Sequence, residues 1–293
     1  MRNYIYIIMC SLLVVLCSQK VLSAERNAVY APADSVLVER LLRESKALKA
    51  SDNKVIFFAR RLIGKPYVAH TLEVTDPERL VVNTRQLDCT TLVENVTALA
   101  LCSAKKKYRF GDYLSLLRTI RYRGGKISGY TSRIHYFSEW IIDNTRKGIV
   151  EEVEHAAAPF MARQTLRLRF MGDNSSKYAM LVKHPEMVAE IRRHERLLDG
   201  MEAYYIPKHL VKDSPETRRA ISDGDIIAIT TSKQGLDIAH VGFAIWKKDG
   251  LHLLHASMTK KKVVEDTEPL GAYLARHKTF TGIRVVRIMN VEL

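Results

Sequence analysis

Residues 88–100 have the sequence DCTTLVENVTALA. Apolar side chains recur in this stretch every three or four residues, at Cys89, Leu92, Val93, Val96, Leu99 and Ala100. That spacing predicts an α-helix with one continuous apolar face. Asp88 comes directly before it and is a residue type that caps helix N-termini. The sequence therefore predicts a helix that begins at Cys89, with the thiol in its first turn.

The chain has four cysteines among its 293 residues, too few for a scaffold held together by disulfides. Cys10 and Cys17 fall in the N-terminal segment, which leaves Cys89 and Cys102. The predicted helix separates these two thiols by about 20 Å, whereas a disulfide tolerates only ~7 Å between Cα atoms. We therefore predict that Cys89 is a free thiol and that Cys102 is a small buried apolar residue.

The N-terminal segment has the features of a secretory signal peptide. Arg2 precedes a short apolar run, and the small residues Ser23 and Ala24 end the segment. The sequence predicts that residues 1–24 are removed on export and that residues 25–293 form one domain without a stable membrane span. The expected location is the periplasm or another compartment outside the cytoplasm. An uncleaved N-terminal anchor is the alternative, although the run is short for a transmembrane helix.

Composition and charge limit the classes of partner. The chain is 47% hydrophobic and 27% charged, which excludes a disordered or collagen-like protein and is enough for one sizeable core. A formal net charge of +14 favours anionic ligands. The lysine clusters at 105–107 and 260–262 are short, far apart and free of interleaved aromatic residues. They predict solvated surfaces rather than a nucleic-acid site.

The pattern of residues changes from helical to extended along the chain. Helical spacing occurs twice within 34–62 and again at 111–121 and 133–147, and strand-like runs occur at 225–231, 240–246, 251–257 and 283–291. Between them, residues from about 150 to 220 are rich in His, Arg and Glu and predict a mostly helical insertion. Helices followed by strands predict an α+β fold, with N-terminal helices packed on an antiparallel sheet.

Two of the strand-like runs flank an Asp-Gly pair at 249–250, which predicts a β-hairpin. With a four-residue loop, Trp246 pairs with Leu251. His240 and His255 then lie on the same face of the sheet as diagonal neighbours, about 7–8 Å apart at the backbone. The two imidazoles are therefore placed to act together.

A free cysteine at a helix N-terminus, followed by two paired histidines, suggests a nucleophile with its base. The helix N-terminus favours the thiolate, and a working cysteine needs a base and a group that orients the base. These roles fit Cys89, His240 and His255, respectively. The same three residues could instead bind zinc, but no Cys-x-x-Cys or His-Glu-x-x-His spacing supports a metal site. We expect no metal and no cofactor.

Several motifs resemble those of the NlpC/p60 cell-wall peptidases. They are GKPY at 64–67, LDCTTLV at 87–93, HVGF at 240–243 and HAS at 255–257. Many members have Gly-Gly where this chain has Ala69-His70, and Gly where it has Thr91. Those departures resemble one branch of the family, the N-acetylmuramoyl-L-alanine amidase-like proteins. The same branch is also resembled by the segments at 71–73, 132–141 and 224–231. The resemblance covers roughly residues 35 to 290.

This resemblance implies a papain-like fold and a cysteine amidase that cuts the bond between the muramic acid lactyl group and L-alanine. The implied substrates are small muropeptides, particularly 1,6-anhydro ones. Cys89 would be the nucleophile, His240 the base and His255 the residue that holds the imidazole. The Tyr67 hydroxyl would join the Cys89 backbone N–H in an oxyanion hole. From the residues alone, Tyr67 fits equally well as a packed aromatic side chain beside a proline turn.

The resemblance also implies residues that bind the substrate. Arg133 and His135 are the first candidates, because Arg can bind a carboxylate with two hydrogen bonds and muropeptides carry several carboxylates. Glu73 and Asp88 are further candidates. Spacing alone predicts a different role for Arg133, on the surface of an amphipathic helix, and Asp88 is explained by its position as a helix cap.

Two other functions fit the same residues. One is an endopeptidase of the same fold that cuts within the stem peptide, and the other is a non-catalytic protein that binds cell-wall fragments in a positively charged groove. In all three cases the expected partners are small muropeptides or peptidoglycan fragments. The sequence does not indicate an oligomeric state.

Overall fold

The structure, a computed structural model, describes residues 27–154 and 157–291, so the predicted signal peptide at 1–24 lies outside the described residues. The helices are α1 (Pro32–Glu44), α2 (Lys54–Arg61), α3 (Cys89–Ala104), α4 (Phe110–Arg121), α5 (Phe137–Arg146), α6 (Phe170–Asp173), α7 (Ala179–Lys183), α8 (Met187–Arg196), α9 (Pro215–Ala220) and α10 (Leu270–Arg276). The strands are β1 (Ala28–Val29), β2 (Leu80–Val81), β3 (Val150–Val153), β4 (Ala162–Thr165), β5 (Glu202–Pro207), β6 (Ile226–Thr231), β7 (Ile238–Lys247), β8 (Gly250–Ser257), β9 (Lys262–Glu265) and β10 (Phe280–Ile288). No helix in the two described ranges is long and apolar enough to cross a membrane.

Eight of the strands form one sheet, in the order β4-β5-β10-β6-β7-β8-β9, with β3 also paired to β10. Neighbouring strands in this sheet are antiparallel. β1 and β2 form a separate parallel pair. The predicted combination of helices with an antiparallel sheet is confirmed, and the strand-like runs of the last third correspond to β6, β7, β8 and β10.

Apolar cores lie on both faces of the sheet. Along β7, Val241, Phe243 and Ile245 belong to the core that helices α1 to α5 cover, while Ala244 belongs to the opposite core. This alternation follows from the two-residue period of a strand. Leu270 of α10 is buried in the second core. The sheet is therefore the middle layer between the N-terminal helices and α10.

Helix α3 begins where the sequence predicts. The Asp88 carboxylate accepts the Thr91 backbone N–H at 2.7 Å, and the Thr91 hydroxyl oxygen accepts the Asp88 N–H at 2.9 Å. This capping box satisfies two backbone donors at the N-terminus of the helix. Cys89 and Cys102 are both free, and Cys102 is fully buried. The prediction of two unbridged thiols is confirmed.

The segment from 150 to 220 contributes strands as well as helices. Helices α6 to α9 lie in it, and so do β3, β4 and β5, which the residue pattern does not predict. β3 and β5 pair with β10, and β4 pairs with β5. β4 has the sequence ARQT, so it lacks the apolar alternation by which a half-buried strand is found in a sequence. That the segment is an insertion stays a prediction.

A buried ion pair connects α3 to α4 and to β2. Arg121 Nε is 2.7 Å from Glu94 Oε2, and the Arg121 guanidinium also donates to the Val81 carbonyl at 2.5 Å. Both charged side chains are only 2% exposed. Burial raises the pKa of Glu94, although the Arg121 charge opposes that shift. The pair therefore holds the helix that carries Cys89 against its neighbours, and each charge depends on the other.

We expect Glu94→Leu and Arg121→Met, made singly, each to lower the free energy of unfolding by about 3–5 kcal/mol, because each leaves a buried charge without its partner. The double variant should lose less than either single variant. Urea denaturation followed by circular dichroism measures all three. Additive losses, or single losses below about 1 kcal/mol, would contradict a coupled buried pair.

Candidate active site

The chain around Tyr67 connects the start of α3 to the β8–β9 hairpin. The Tyr67 backbone N–H donates to the Lys261 carbonyl at 2.9 Å, and the Val68 N–H donates to the Leu87 carbonyl at 3.2 Å. Leu87 lies two residues before Cys89. These bonds hold the Tyr67 side chain, the first turn of α3 and the hairpin in one fixed arrangement.

The Cys89 thiol is half-buried at the start of α3. The backbone N–H of Val241, the residue that follows His240, and the N–H and hydroxyl of Thr90 lie near enough to the sulfur to favour its thiolate form. The sulfur therefore lies against β7, next to the first predicted histidine. Burial, followed by the neighbouring Asp88 carboxylate, nevertheless raises the pKa of the thiol to about 11.

This pKa differs from the sequence-based expectation. The position at a helix N-terminus predicts a favoured thiolate, but the loss of hydration around Cys89 outweighs the effect of these neighbouring donors. At neutral pH the resting side chain is therefore a neutral thiol, which must lose its proton when it reacts.

The two histidines of the hairpin are hydrogen-bonded to each other. His240 Nε2 lies 2.6 Å from His255 Nδ1, with the two rings nearly perpendicular at 85°. Trp246 pairs with Leu251, so the predicted register is confirmed. Lys247 also pairs with Gly250, so the loop has two residues and the predicted length of four is wrong. A Cβ at Gly242 would lie 2.9 Å from the Cβ of His255. Only glycine leaves room at position 242 for the second imidazole.

Both histidines are neutral at ordinary pH. Burial, followed by the positive charges of His255 and His277, lowers the pKa of His240 to about 3. Burial also lowers the pKa of His255, although Asp266 opposes that shift. His240 Nε2 faces His255, which leaves Nδ1 as the ring nitrogen of His240 that can accept a proton.

Asp266 is a neighbour of the pair that the sequence analysis misses. Its Oδ2 lies 3.4 Å from His255 Nε2, and its Oδ1 lies 2.7 Å from Lys260 Nζ. The register of the next hairpin carries the signal that could have found it. His255 pairs with Val264 of β9, and Asp266 follows two residues later.

An aromatic group beside the histidines is also absent from the sequence predictions. The Tyr273 ring centroid lies 5.7 Å from that of His255, and His277 lies 4.8 Å from Tyr273 and 4.4 Å from Phe280. Tyr273 lies in α10 and His277 directly follows the helix, four residues further on, a spacing typical of side chains that are neighbours on a helix face. That spacing is the signal by which the sequence could have shown them.

The geometry of the imidazoles does not fit a shared zinc ion. Two nitrogens bound to one tetrahedral zinc are about 3.3 Å apart, whereas His240 Nε2 and His255 Nδ1 are 2.6 Å apart and point at each other. Within the described residues, no group of three His, Cys, Asp or Glu side chains has the arrangement of a metal site.

Tyr67 lies close enough to Cys89 for the charge of the thiolate to affect the ionisation of the tyrosine. Burial, followed by the charges of Cys89 and Asp88, raises the pKa of Tyr67 to about 12. The hydroxyl therefore keeps its proton at neutral pH and can donate a hydrogen bond. The structure brings Tyr67, Cys89, His240 and His255 into one site.

Arg133 differs from the spacing-based prediction of a surface residue on a helix. Helix α5 begins only at Phe137, and Arg133 lies in an extended segment that pairs with Tyr122. Its side chain is 9% exposed, with Nε 3.3 Å from Glu78 Oε1 and Nη2 3.7 Å from Glu73 Oε1. The prediction of a surface position is wrong, because these two carboxylates draw the guanidinium inward.

The other predicted binding residues are occupied by internal contacts. His135 Nε2 lies 3.2 Å from the Tyr130 carbonyl, and the Glu73 carboxylate accepts the Tyr130 hydroxyl at 3.2 Å. Burial, followed by the Arg133 charge, holds the pKa of His135 well below its usual range. No hydrogen bond or ion pair among the described residues joins this cluster to Cys89. Asp88 lies beside Cys89 but serves as the helix cap.

The chain is similar to proteins of a known family. A family model described as AmiA-like, N-acetylmuramoyl-L-alanine amidase-like, matches residues 57–283. The crystal structure of an N-acetylmuramoyl-L-alanine amidase from Bacteroides uniformis superposes with a TM-score of 0.75 at 41% identity, covering 80% of this chain and 97% of that one. No curated protein matches the chain.

Two other crystal structures are also similar. A putative xylanase from Bacteroides fragilis has a TM-score of 0.74 at 44% identity, covering 79% of this chain and 99% of that one. A Legionella pneumophila protein has a TM-score of 0.67 at 21% identity, covering 87% of this chain and 94% of that one. The second likeness shows a shared fold alone.

We expect the rate at which iodoacetamide alkylates Cys89 to rise about tenfold per pH unit through pH 9, because only the thiolate reacts and the thiol pKa is high. Mass spectrometry of timed samples measures the rate. Cys89→Ala is the control, since the buried Cys102 should stay unlabelled. A constant rate between pH 5 and 8 would instead reveal a preformed thiolate–imidazolium pair.

Proposed function

Because the chain belongs to the N-acetylmuramoyl-L-alanine amidase-like family, we propose that it hydrolyses the amide between the lactyl group of N-acetylmuramic acid and L-alanine in small muropeptides. We assign the nucleophile to Cys89, the base to His240 and the orienting group to His255. The observation that carries this assignment is the 2.6 Å His240–His255 bond, on the strand whose Val241 N–H lies beside the Cys89 sulfur.

The first half of the proposed reaction transfers one proton and forms a thioester. As the Cys89 sulfur attacks the lactyl carbonyl carbon, the thiol proton passes to Nδ1 of His240. The carbonyl oxygen becomes an oxyanion. The protonated imidazole then gives that proton to the amide nitrogen, the C–N bond breaks, and the peptide leaves with a free L-alanine amine. A neutral Cys89 thiol and a neutral His240 imidazole suit this order of steps, because charges form only when substrate is bound.

The second half of the reaction restores the enzyme. His240 Nδ1 accepts a proton from water, whose oxygen attacks the thioester carbonyl. The C–S bond then breaks, and the sulfur leaves as a thiolate that takes the proton back from His240. The products are a sugar with a free lactyl carboxylate and the intact stem peptide.

Two hydrogen-bond donors are available for the oxyanion. The Cys89 backbone N–H lies in the first turn of α3, and the Tyr67 hydroxyl remains protonated at neutral pH. One donor of this kind is worth about 3 kcal/mol of transition-state stabilisation. The backbone bonds around Tyr67 support the assignment, because they fix its position relative to Cys89.

The buried position of Arg133 supports an indirect role in substrate binding. The buried guanidinium holds Glu73 and Glu78, which belong to the loop that follows Tyr67. We propose that Arg133, His135 and Glu73 shape the groove for the stem peptide by fixing this loop. Asp88 keeps its role as the cap of α3.

The fold and the location belong to the same proposal. A helix that begins with the nucleophile and packs on a sheet that carries the histidines supports a papain-like fold of the NlpC/p60 type. We place the protein outside the cytoplasm, where peptidoglycan fragments are available, as the N-terminal segment predicts.

The similarity to a putative xylanase does not favour glycosidase chemistry in this site. A glycosidase uses one carboxyl group as an acid and a second as a nucleophile or base. Here Asp88 caps α3, and Asp266 is bonded to Lys260 with a lowered pKa. Neither carboxyl group is placed as a proton donor to a glycosidic oxygen.

The test uses a defined N-acetyl-1,6-anhydromuramoyl peptide, with products identified by mass spectrometry. We expect a free sugar acid and an intact peptide with an L-alanine N-terminus. Cys89→Ala should lower kcat by more than about 10³-fold, because no other group in the site replaces the nucleophile. Cys102→Ala is the matched control, since this buried residue lies outside the site.

Three results would contradict the proposed function and favour a different one. A shortened stem that is still attached to the sugar indicates an endopeptidase. Binding of the fragment without any product, by the unmodified protein, indicates a non-catalytic binding protein. Release of sugars from xylan at a rate that Cys89→Ala does not change indicates glycosidase chemistry.

A further inference from the structure

Asp266 contacts His255 and so forms the third member of a chain of contacts that runs from His240 through His255. Its Oδ2 lies 3.4 Å from His255 Nε2, while the other ring nitrogen of His255 lies 2.6 Å from His240. The carboxylate is therefore connected to His240 through both nitrogens of one imidazole. Asp266 is 5% exposed, so this connection is shielded from water.

The backbone of Asp266 is held by several hydrogen bonds. Its N–H donates to the Leu253 carbonyl at 2.8 Å, and its own carbonyl accepts from Lys247 Nζ at 2.9 Å and from His252 Nδ1 at 3.0 Å. These bonds tie the residue to β7 and β8. The carboxylate is consequently held in a fixed place beside His255 by the same hairpin that carries both histidines.

Lys260 keeps the Asp266 carboxyl group ionised. Burial alone would raise the pKa of Asp266, but the hydrogen bond from Lys260 and the backbone N–H of Glu268 outweigh burial, and the net shift is downward. An ionised carboxylate can only accept hydrogen bonds. The proton between Asp266 and His255 therefore belongs to His255 Nε2.

The proton on His255 Nε2 determines where the other ring protons of His255 and His240 lie. A neutral imidazole carries a single N–H, so His255 Nδ1 is unprotonated and accepts the N–H of His240 Nε2. His240 Nδ1 is then left unprotonated, which is the form that a general base requires.

On the basis of the proposed amidase function, we propose that Asp266 is a positioning residue that fixes both histidines as Nε2–H tautomers, and that Lys260 maintains this role by keeping Asp266 ionised. Asp266 acts through His255 and does not touch the substrate. Its negative charge also stabilises the imidazolium that forms on His240 during the reaction, through the intervening ring.

The charged and titratable groups that face Asp266 come from β7, β8, α10 and the turn that follows β8. They are Lys247, His252, His255, Lys260 and Tyr273. Lys260 has the shortest contact with the carboxylate, at 2.7 Å. Lys247 and His252 bind its backbone carbonyl instead. Lys260 is therefore the cation whose removal should change the ionisation of Asp266 most.

Nitrogen-15 NMR of the histidine rings tests the tautomers in the unmodified protein, without substrate. At pH 7 we expect both His240 and His255 to carry the proton on Nε2, with Nδ1 unprotonated. A proton on Nδ1 of His255 overturns the proposal. Asp266→Ala should release His255 from the single tautomer, whereas Asp213→Asn, a matched change at an exposed carboxylate outside the site, should not.

Kinetics on the anhydromuramoyl peptide give a second test. We expect Asp266→Asn to lower kcat by about 10²-fold, with KM within about twofold, because orientation and charge act in the transition state. Asp213→Asn is again the control. Native kcat and a native pH profile in Asp266→Asn overturn the proposal.

The pH dependence separates the two residues. Without Lys260 the pKa of Asp266 rises, so Lys260→Met should lose activity at a higher pH than the native protein as the solution is made more acidic. Asp266→Asn should be impaired at every pH without such a shift, because it has no carboxyl group left to protonate. Lys260→Arg should restore the native profile. An acid limb that does not move in Lys260→Met overturns the role of Lys260.

The NMR and kinetic experiments together also distinguish a failure of this proposal from a failure of the proposed amidase function. If the native protein cuts no muropeptide but both histidines are Nε2–H tautomers, the amidase assignment fails while the positioning by Asp266 stands. If the native protein is an amidase and Asp266→Asn equals it, the positioning role fails alone.

Discussion

The hydrogen bond between His240 and His255 is the interaction on which the site depends. It exists because the β7–β8 register puts both residues on one face and because position 242 has no side chain. A slip of one residue would turn one imidazole to the opposite face of the sheet. The register is in turn held by apolar cores on both faces, so the chemistry of the site rests on the packing of the whole sheet.

Burial determines the charge state of the site. Loss of hydration raises the pKa of the Cys89 thiol and lowers that of the His240 imidazole, so the resting site holds no charge on either group. The charges of the reaction then form next to donors that are already in place. A neutral site of this kind also protects an unpaired thiol from oxidation, which proceeds through the thiolate.

Local patterns in the sequence predict those parts of the fold that depend on neighbours along the chain. The helix that begins at Cys89, its cap and the hairpin register all follow from spacing and turn length. Asp266 was missed because its approach to His255 is a tertiary contact, set by how β9 lies against β8. Arg133 was misplaced because ion pairs with distant carboxylates bury it. The thiol pKa depends on packing from several elements, which no local pattern describes.

The outer strands of the sheet have a further consequence. At one end, β4 presents alternating exposed polar side chains, Arg163 and Thr165 among them. At the other end, the outer edge of β9 is covered by the chain at 64–67. The Gly64 N–H donates a hydrogen bond to the Val263 carbonyl. An uncovered apolar edge invites pairing with another molecule. Polar side chains at one edge strand and a hydrogen-bonded segment at the other therefore protect this sheet from intermolecular aggregation.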